Sequence, residues 1–144
     1  MKKLLITVLA IGIVVAGVGL YFYYKPVTHL VHVSPDYTAY TSDELETLFT
    51  QILQNPDRYI GKVIEFRGAV SEINIKPSGG GYLLMKVDRP EAIINVQLDH
   101  RVYASTVQSG EECKIRAEFT GIEEDLIDPE VYIVYFKQAT ILNR

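Results

Sequence analysis

The sequence is poor in cysteine and in basic side chains, and each shortage restricts what the protein can be. Cys113 is the only cysteine among 144 residues, so no disulfide can form within the chain and core packing must hold the fold. A single cysteine at this position also excludes a lipid-modified cysteine after the apolar N-terminal run. Because Cys113 alternates with Ile115, Ala117 and Phe119, we interpret it as a small buried apolar residue.

Basic residues are outnumbered, which bears on the choice of partner. The chain has 14 basic and 18 acidic residues, and Lys2, Lys3 and Lys25 lie at its N-terminal end. Residues 26–144 therefore hold 11 basic and 18 acidic residues, a formal charge of −7. Nucleic-acid binding takes most of its affinity from lysine and arginine, so an acidic domain begins at a disadvantage for that function.

The longest apolar run predicts a membrane anchor. Residues 4–24 include no charged side chain, and as a helix they would reach about 30 Å, the thickness of a bilayer's hydrocarbon core. An aromatic cluster at 21–24 ends the run at the position where aromatic rings favour the headgroup region. We therefore predict an uncleaved signal-anchor over residues 1–25, with the membrane as a partner.

Two alternatives to this anchor stay open. A cleaved secretory signal also begins with lysines and an apolar run, although its apolar part is usually only about 7–15 residues. A buried helix of a soluble protein is the other alternative. The lysines before the run favour a cytoplasmic N-terminus. The predicted location is the cell membrane, crossed once, with the C-terminal domain periplasmic or extracellular.

The rest of the chain divides into a linker, residues 26–40, and a domain, residues 41–144. A capping-box pattern, Thr-Ser-Asp-Glu, occupies residues 41–44 and predicts a helix start. Apolar residues then follow at helical spacing, which predicts one amphipathic helix: Leu45, Leu48, Phe49, Ile52 and Leu53. Asn55 and Pro56 end the pattern.

Alternating apolar residues after this helix predict five strands. The predicted strands cover residues 62–75, 82–87, 94–98, 113–119 and 131–142, and a short helix over 99–108 separates the third from the fourth. In the first strand the alternation slips near Gly68, which predicts a β-bulge or bend. Five strands in this order predict a mainly β, five-stranded OB-fold Greek-key barrel, since a β-sandwich needs about seven strands.

Short motifs along the chain resemble a known family. Residues 59–70 read YIGKVIEFRGAV and resemble the "Y-x-G-K-x-I-x-x-x-G-x-V" opening of the tRNA-anti-like family. Shorter segments also match its pattern: YKP at 24–26 with His29, SDEL at 42–45, AEFTG at 117–121, and the last strand at 131–142. The resemblance implies an OB-fold protein, membrane-anchored or a lipoprotein, of a kind common in Bacteroidetes. It implies no catalytic residues, because none are established for the family.

Candidate ligand-binding residues follow from the barrel prediction. OB-folds bind oligonucleotides on their second and third strands and on the 1–2 and 4–5 loops. On these elements the sequence places Lys76, Tyr82, Lys86 and Arg89, which we predict as the binding residues. For Tyr82 the alternative is a place on the ordinary exterior of the barrel. The glycine run at 79–81 is predicted to be a hairpin turn, because neither a lysine nor a helix start follows as in a phosphate-binding loop.

No pattern in the sequence predicts catalysis, a metal site or a cofactor. His29 and His32 have no third ligand nearby, so we interpret them as exposed. The acidic run at 123–130 lacks the spacing of an EF-hand, which leaves a solvated loop, with weak calcium binding as the alternative. We predict a non-catalytic binding module for a protein or cell-envelope component, and a single-stranded nucleic-acid-binding protein is the alternative.

Overall fold

The structure, a computed structural model, describes residues 12, 14–18, 20, 29–87, 92–102 and 107–143. Residues 12, 14–18 and 20 are helical. No helix among the described residues has the length and apolar character needed to span a bilayer. The other residues of the predicted anchor, which covers residues 1–25, lie outside the described part of the chain. The anchor stays a prediction.

The described residues from 29 onward form six strands and one α-helix. In chain order these are β1 Tyr37–Ala39, α1 Ser42–Gln54, β2 Val63–Ile75, β3 Gly81–Val87, β4 Ala92–Leu98, β5 Glu112–Glu124 and β6 Tyr132–Asn143. Two 3-10 turns, Leu30–His32 and Pro56–Arg58, precede β1 and β2 respectively. The prediction of a mainly β domain behind one amphipathic helix is confirmed.

Strands β2 to β6 close into a barrel. The sheet order is β1-β2-β3-β4-β6-β5, and β2 also pairs with β5. All neighbouring barrel strands are antiparallel except β4 and β6, which are parallel. This closed five-stranded arrangement is consistent with the predicted OB-fold. It brings β6, the last strand, next to β4, which places their outward side chains on one face.

Four phenylalanines fill the centre of the barrel. Phe136 contacts Phe66 and Phe119, with ring centroids 5.2 and 5.6 Å apart. Helix α1 closes one end of the barrel, because its Phe49 ring lies 6.3 Å from both Phe66 and Phe136. The predicted capping box is present at Thr41, whose hydroxyl accepts from the backbone N–H of Glu44 at 3.3 Å. Four of the five residues in the predicted apolar stripe of α1 are buried, and the fifth, Leu53, is half-buried.

Strand β2 serves both halves of the barrel. Its residues 63–69 pair with β5 and its residues 70–75 pair with β3. The register shift lies between Val70 and Glu72, two residues beyond the predicted slip at Gly68. Gly68 is instead a position of close packing, since a Cβ there would lie 2.6 Å from Cε of Met85.

The predicted short helix over 99–108 is wrong at both of its described ends. Residues 99–102 form a turn in which the N–H of Val102 donates to the carbonyl of Asp99 at 2.9 Å, and residues 107 and 108 are not helical. Residues 103–106 lie outside the described part of the chain. Asp99 directs this turn, because its carboxylate accepts from the backbone N–H of Arg101 at 2.9 Å.

Residues 29–40, which belong to the segment predicted as a linker, pack on the barrel. Leu30 is 5% exposed, and β1 runs parallel to β2 in register with residues 64–66. Asp36 fixes this register: its N–H donates to the carbonyl of Val63 at 2.7 Å, and its carboxylate accepts from the N–H of Val63 at 2.9 Å. The domain boundaries themselves stay predictions.

A candidate binding groove on the barrel face

An open groove of about 840 Å³ crosses the outer face of β3, β4 and β6. Its volume falls within the range of about 300–1,000 Å³ typical of ligand pockets. The outward side chains that line it are Tyr82 and Leu84 from β3, Asn95 and Gln97 from β4, Thr120 from β5, Tyr135 and Lys137 from β6, with Glu72 and Lys76 at the β2–β3 end. We call this surface the barrel groove.

Strand register sets the arrangement of these side chains. Leu84, Asn95 and Tyr135 lie directly opposite one another on three adjacent strands. Because neighbouring strands are about 4.8 Å apart, β3 and β6 stand about 10 Å apart across the groove. Gly121 faces Tyr135 from β5, and a Cβ at that glycine would meet nothing within 4 Å. The tyrosine ring therefore borders open space on that side.

Each tyrosine of the groove is held by a carboxylate. The Tyr82 hydroxyl donates to Oε1 of Glu72 at 2.7 Å, and the Tyr135 hydroxyl donates to Oε2 of Glu123 at 3.1 Å. The Glu72 hydrogen bond raises the pKa of Tyr82. Burial, followed by the Glu123 hydrogen bond, raises the pKa of Tyr135. Both phenols stay protonated at physiological pH, and both half-buried rings have fixed positions.

The groove has two lysines, and their surroundings differ. Lys137 forms an ion pair with Glu118 at 3.1 Å, while Lys76 is exposed at the start of the β2–β3 loop. A bulge in β6 sets the position of Lys137, since the next residue, Gln138, has a φ of +54° and interrupts the register with both neighbouring strands. The groove lining itself holds these two lysines and one carboxylate, Glu72, while Glu118 and Glu123 lie beside it as partners of Lys137 and Tyr135.

The β2–β3 loop at one end of the groove has a fixed conformation. Gly79, Gly80 and Gly81 all have positive φ, of +89°, +75° and +136°, and a Cβ at Gly81 would lie 1.9 Å from the carbonyl oxygen of Asn74. The N–H of Gly80 donates to the carbonyl of Val102 at 2.8 Å, which ties this loop to the turn after β4. The glycine run thus forms the predicted hairpin turn.

The four predicted binding residues are distributed unevenly over this surface. Lys76 and Tyr82 both line the barrel groove. Lys86 is exposed on the same face of β3 but does not line the groove, and Arg89 lies outside the described residues. Sequence reasoning missed Tyr135, although its alternation with buried neighbours marked it as outward-facing. The missing information was that β6 lies beside β4.

A second polar cluster surrounds Glu65, and its hydrogen bonds and ion pairs hold parts of the fold together. This carboxylate on β2 is 2% exposed and accepts from Arg116 Nε at 2.7 Å and from the Tyr40 hydroxyl at 2.6 Å, with Lys114 Nζ also 2.7 Å away. Burial raises the pKa of Glu65, but hydrogen bonds from Lys114, Tyr40 and Arg116 outweigh it and lower the pKa to about 2. A carboxylate held ionised in this way cannot supply a proton near neutral pH.

Arg116 extends this cluster to the N-terminal segment. Its Nη1 donates to the carbonyls of Leu30 at 3.0 Å, Val31 at 2.8 Å and Val33 at 2.8 Å. The guanidinium group thus joins Glu65 to the carbonyl end of the first 3-10 turn. No buried side-chain nitrogen or oxygen in the described part of the chain lacks a hydrogen bond.

Other candidate chemistry gains no support from the geometry. Within residues 29–87, 92–102 and 107–143, no three histidine, cysteine, aspartate or glutamate side chains are grouped so that they could hold a metal ion. Nδ1 of His29 accepts from the N–H of Val31 at 3.3 Å, within the first 3-10 turn. Cys113 is fully buried, and burial raises the pKa of its thiol to about 11, which confirms its interpretation as a core residue.

Comparison with known proteins finds distantly similar structures. No family model matches the chain, and no curated protein matches it. A candidate nucleic acid-binding lipoprotein from Klebsiella pneumoniae matches 73% of this chain and 91% of its own, at 15% identity and a TM-score of 0.43. A candidate aspartyl-tRNA synthetase from Leishmania major matches 88% of this chain and 26% of its own, at 12% identity and a TM-score of 0.44. Both are too distant to carry an argument, so the fold assignment rests on the strand topology.

Proposed function

We propose that this protein is a non-catalytic binding module, tethered to the cell membrane by residues 4–24, that holds a protein or cell-envelope component in the barrel groove. The observation that carries the proposal is the pair of tyrosines, Tyr82 and Tyr135, fixed on the face where OB-folds bind extended ligands. The charge-free run at 4–24 supports the tether, and the lysines before it support export of the barrel.

The chemistry of the groove favours an extended ligand without phosphates. Two fixed aromatic rings offer stacking surfaces for apolar groups, sugars or cations. Between them, the amides of Asn95 and Gln97 provide uncharged hydrogen-bond donors and acceptors, which suit peptide groups and hydroxyls. The carboxylates beside both tyrosines and the formal charge of −7 on residues 26–144 repel anions.

Site-specific crosslinking in cells tests this proposal. A photoreactive phenylalanine analogue at Tyr82 would lie in the groove, and the same analogue at Lys86, four residues further along the same face of β3, provides a matched control. We expect the Tyr82 position alone to give a crosslinked product that protease removes and nuclease leaves intact, or one that carries envelope glycan. Equal products from both positions, or a nuclease-sensitive product, would contradict the proposal.

Single-stranded nucleic acid is the second candidate ligand. Stacking aromatics beside basic residues are the pattern of single-strand binders, and the groove does place Tyr82 and Tyr135 near Lys76 and Lys137. A filter-binding titration with oligonucleotides at low salt distinguishes the candidates. Affinity that falls steeply with salt, and that weakens on Lys76→Ala but not on Lys86→Ala, would establish this second function. We expect no such binding, because the carboxylates in and beside the groove and the acidic charge of the domain oppose it.

The proposed location has its own test. Alkaline phosphatase fused after Arg144 is active only when the C-terminus is exported. We expect activity from the full chain and loss of activity when residues 1–25 are deleted. A fusion that is inactive as a phosphatase while a cytoplasmic reporter at the same position is active would reverse the topology.

A further inference from the structure

Two apolar side chains stand fully in solvent at the tip of the β5–β6 loop, residues 125–131. Leu126 is 101% exposed and Ile127 is 94% exposed. Among the other described residues of the barrel domain, the most exposed large apolar side chain is that of Ile60, at 54%. A single exposed apolar residue is ordinary, but here an adjacent pair has no contact with the fold that would account for its apolar character.

The loop presents this pair from a closed backbone. The N–H of Asp125 donates to the carbonyl of Val131 at 2.9 Å, and the N–H of Val131 donates to the carbonyl of Asp128 at 3.0 Å. The Asp125 carboxylate also accepts from the N–H of Ile127 at 2.8 Å. Because these bonds fix the loop before any partner arrives, ordering it on binding costs little.

Charge around the tip selects the kind of partner. Residues 123–130 include five acidic side chains and no basic one, so anionic lipid headgroups and nucleic-acid phosphates are repelled. A protein surface with an apolar pocket bordered by lysine or arginine complements both features. The same hairpin leads to the barrel groove, since Tyr135 and Thr120 line both the groove and the adjoining cleft along β5 and β6.

We propose that Leu126 and Ile127 are the apolar anchor of a docking site for a basic protein, with the surrounding carboxylates selecting its charge. This rests on the proposed binding function and adds to it a second contact surface, one that fits a basic protein. The partner's pocket takes the two apolar side chains, and its cations face the acidic residues on either side of them.

The absence of tryptophan from the sequence allows a direct test. Leu126→Trp in the full chain, held in phosphatidylcholine nanodiscs, gives one fluorophore at the tip. The probe is a synthetic peptide of alternating lysine and leucine, with glutamate–leucine and lysine–serine peptides as controls. We expect red-shifted emission from the free protein, a blue shift with the lysine–leucine peptide only, and reversal of that shift by salt.

A binding measurement with the same peptide supplies the quantitative result. Leu126→Ser combined with Ile127→Ser should weaken binding by at least about tenfold, while Ile60→Ser, at an exposed apolar residue outside the loop, should leave it unchanged. All three positions are exposed, so folding is expected to be unaffected. Emission that is blue before peptide is added would place the tip in lipid and overturn the proposal. A blue shift with the glutamate–leucine peptide would also overturn it, and so would emission that changes with none of the three peptides.

The groove is tested separately by Tyr82→Ala. Peptide binding that is lost in this variant but retained in the Leu126 and Ile127 variant would leave the groove function standing and refute the tip as anchor. If binding is instead retained in Tyr82→Ala and lost in the Leu126 and Ile127 variant, the tip is the anchor and the groove does not take part in this interaction.

Discussion

Replacing Glu65 by glutamine tests how the cluster of buried charges contributes to stability. Glutamine keeps the shape of the side chain and removes its charge. Its neutral amide then faces Arg116 and Lys114 in a site where the wild-type side chain is only 3% exposed. Removing one partner of a buried charge pair is strongly destabilising, because the remaining charge loses its compensation.

The magnitude follows from the pKa of Glu65. A fall in the pKa from about 4.3, the ordinary value for glutamate, to about 2 corresponds to about 3 kcal/mol of unfolding free energy at neutral pH, at about 1.36 kcal/mol per pKa unit. Because the folded-state pKa is depressed, this stabilisation is complete above the unfolded-state pKa of about 4.3. It is lost as pH falls from there to about 2, while the carboxylate of the folded protein becomes protonated.

Denaturant unfolding of the full chain, followed by far-ultraviolet circular dichroism from neutral pH to about pH 2, measures this effect. We expect Glu65→Gln to be about 3 kcal/mol less stable than wild type at neutral pH, and the difference to shrink steadily below about pH 4. Glu72→Gln, which removes an exposed carboxylate from the same strand, controls for a change in net charge. A separation between wild type and Glu65→Gln that stays constant across the whole pH range would refute the reasoning.

Three further predictions concern positions that the structure singles out. Gly81→Ala should lower the free energy of unfolding by about 3 kcal/mol or more, because a Cβ there would lie 1.9 Å from the Asn74 carbonyl oxygen and the φ of +136° strains any side chain. The melting temperature measures this loss, and Gly121→Ala, at a position with open space, should melt as wild type does. Arg116→Lys should speed amide hydrogen exchange in residues 32–36 by about tenfold or more, because a single ammonium nitrogen cannot bind Glu65 as Nε and Nη2 do while also donating to three carbonyls as Nη1 does. Unchanged exchange would show that the guanidinium does not hold the segment. The Cys113 thiol, buried and with its pKa raised to about 11, should react with a thiol reagent only as fast as the protein unfolds, and rapid labelling under native conditions would contradict its place in the core.

Local patterns were sufficient to predict the elements that bury one face. The stripe of α1 and its capping box are present where the sequence placed them. The alternation of Ile94, Val96 and Leu98 likewise predicted the inward face of β4, and all three are buried. These predictions succeed because helix and strand periods are properties of neighbouring residues and need no knowledge of distant ones.

The short helix over 99–108 was predicted wrongly because neighbouring residues alone did not decide its conformation. A polar stretch between two strands fits either a helix or a turn, and the choice depends on what lies next to it. Asp99 is 5% exposed, and hydrogen bonds from Arg101 outweigh its burial and lower its pKa to about 2. The carboxylate is therefore occupied in holding a turn, a role that is visible only when both residues and the neighbouring glycine loop are in place.

The N-terminal segment at 29–36 shows the same dependence on distant contacts. Its sequence has no periodicity, which led to its interpretation as a spacer. Its position depends on Arg116, more than eighty residues away in the chain, and on backbone pairing between Asp36 and Val63. Contacts of this range leave no periodic signal in the segment itself.

Sequence alone determined the charge balance, the apolar run at 4–24, the inward faces of the main helix and strands, and two groove residues, Lys76 and Tyr82. Only the tertiary structure decided that β6 lies parallel to β4, and this brings Tyr135 and Lys137 onto one surface with Tyr82. The physical reason is that strand order is set by how the barrel closes around its core. A side chain's own neighbours specify the direction in which it faces, whereas the closure of the barrel specifies which other side chains it meets.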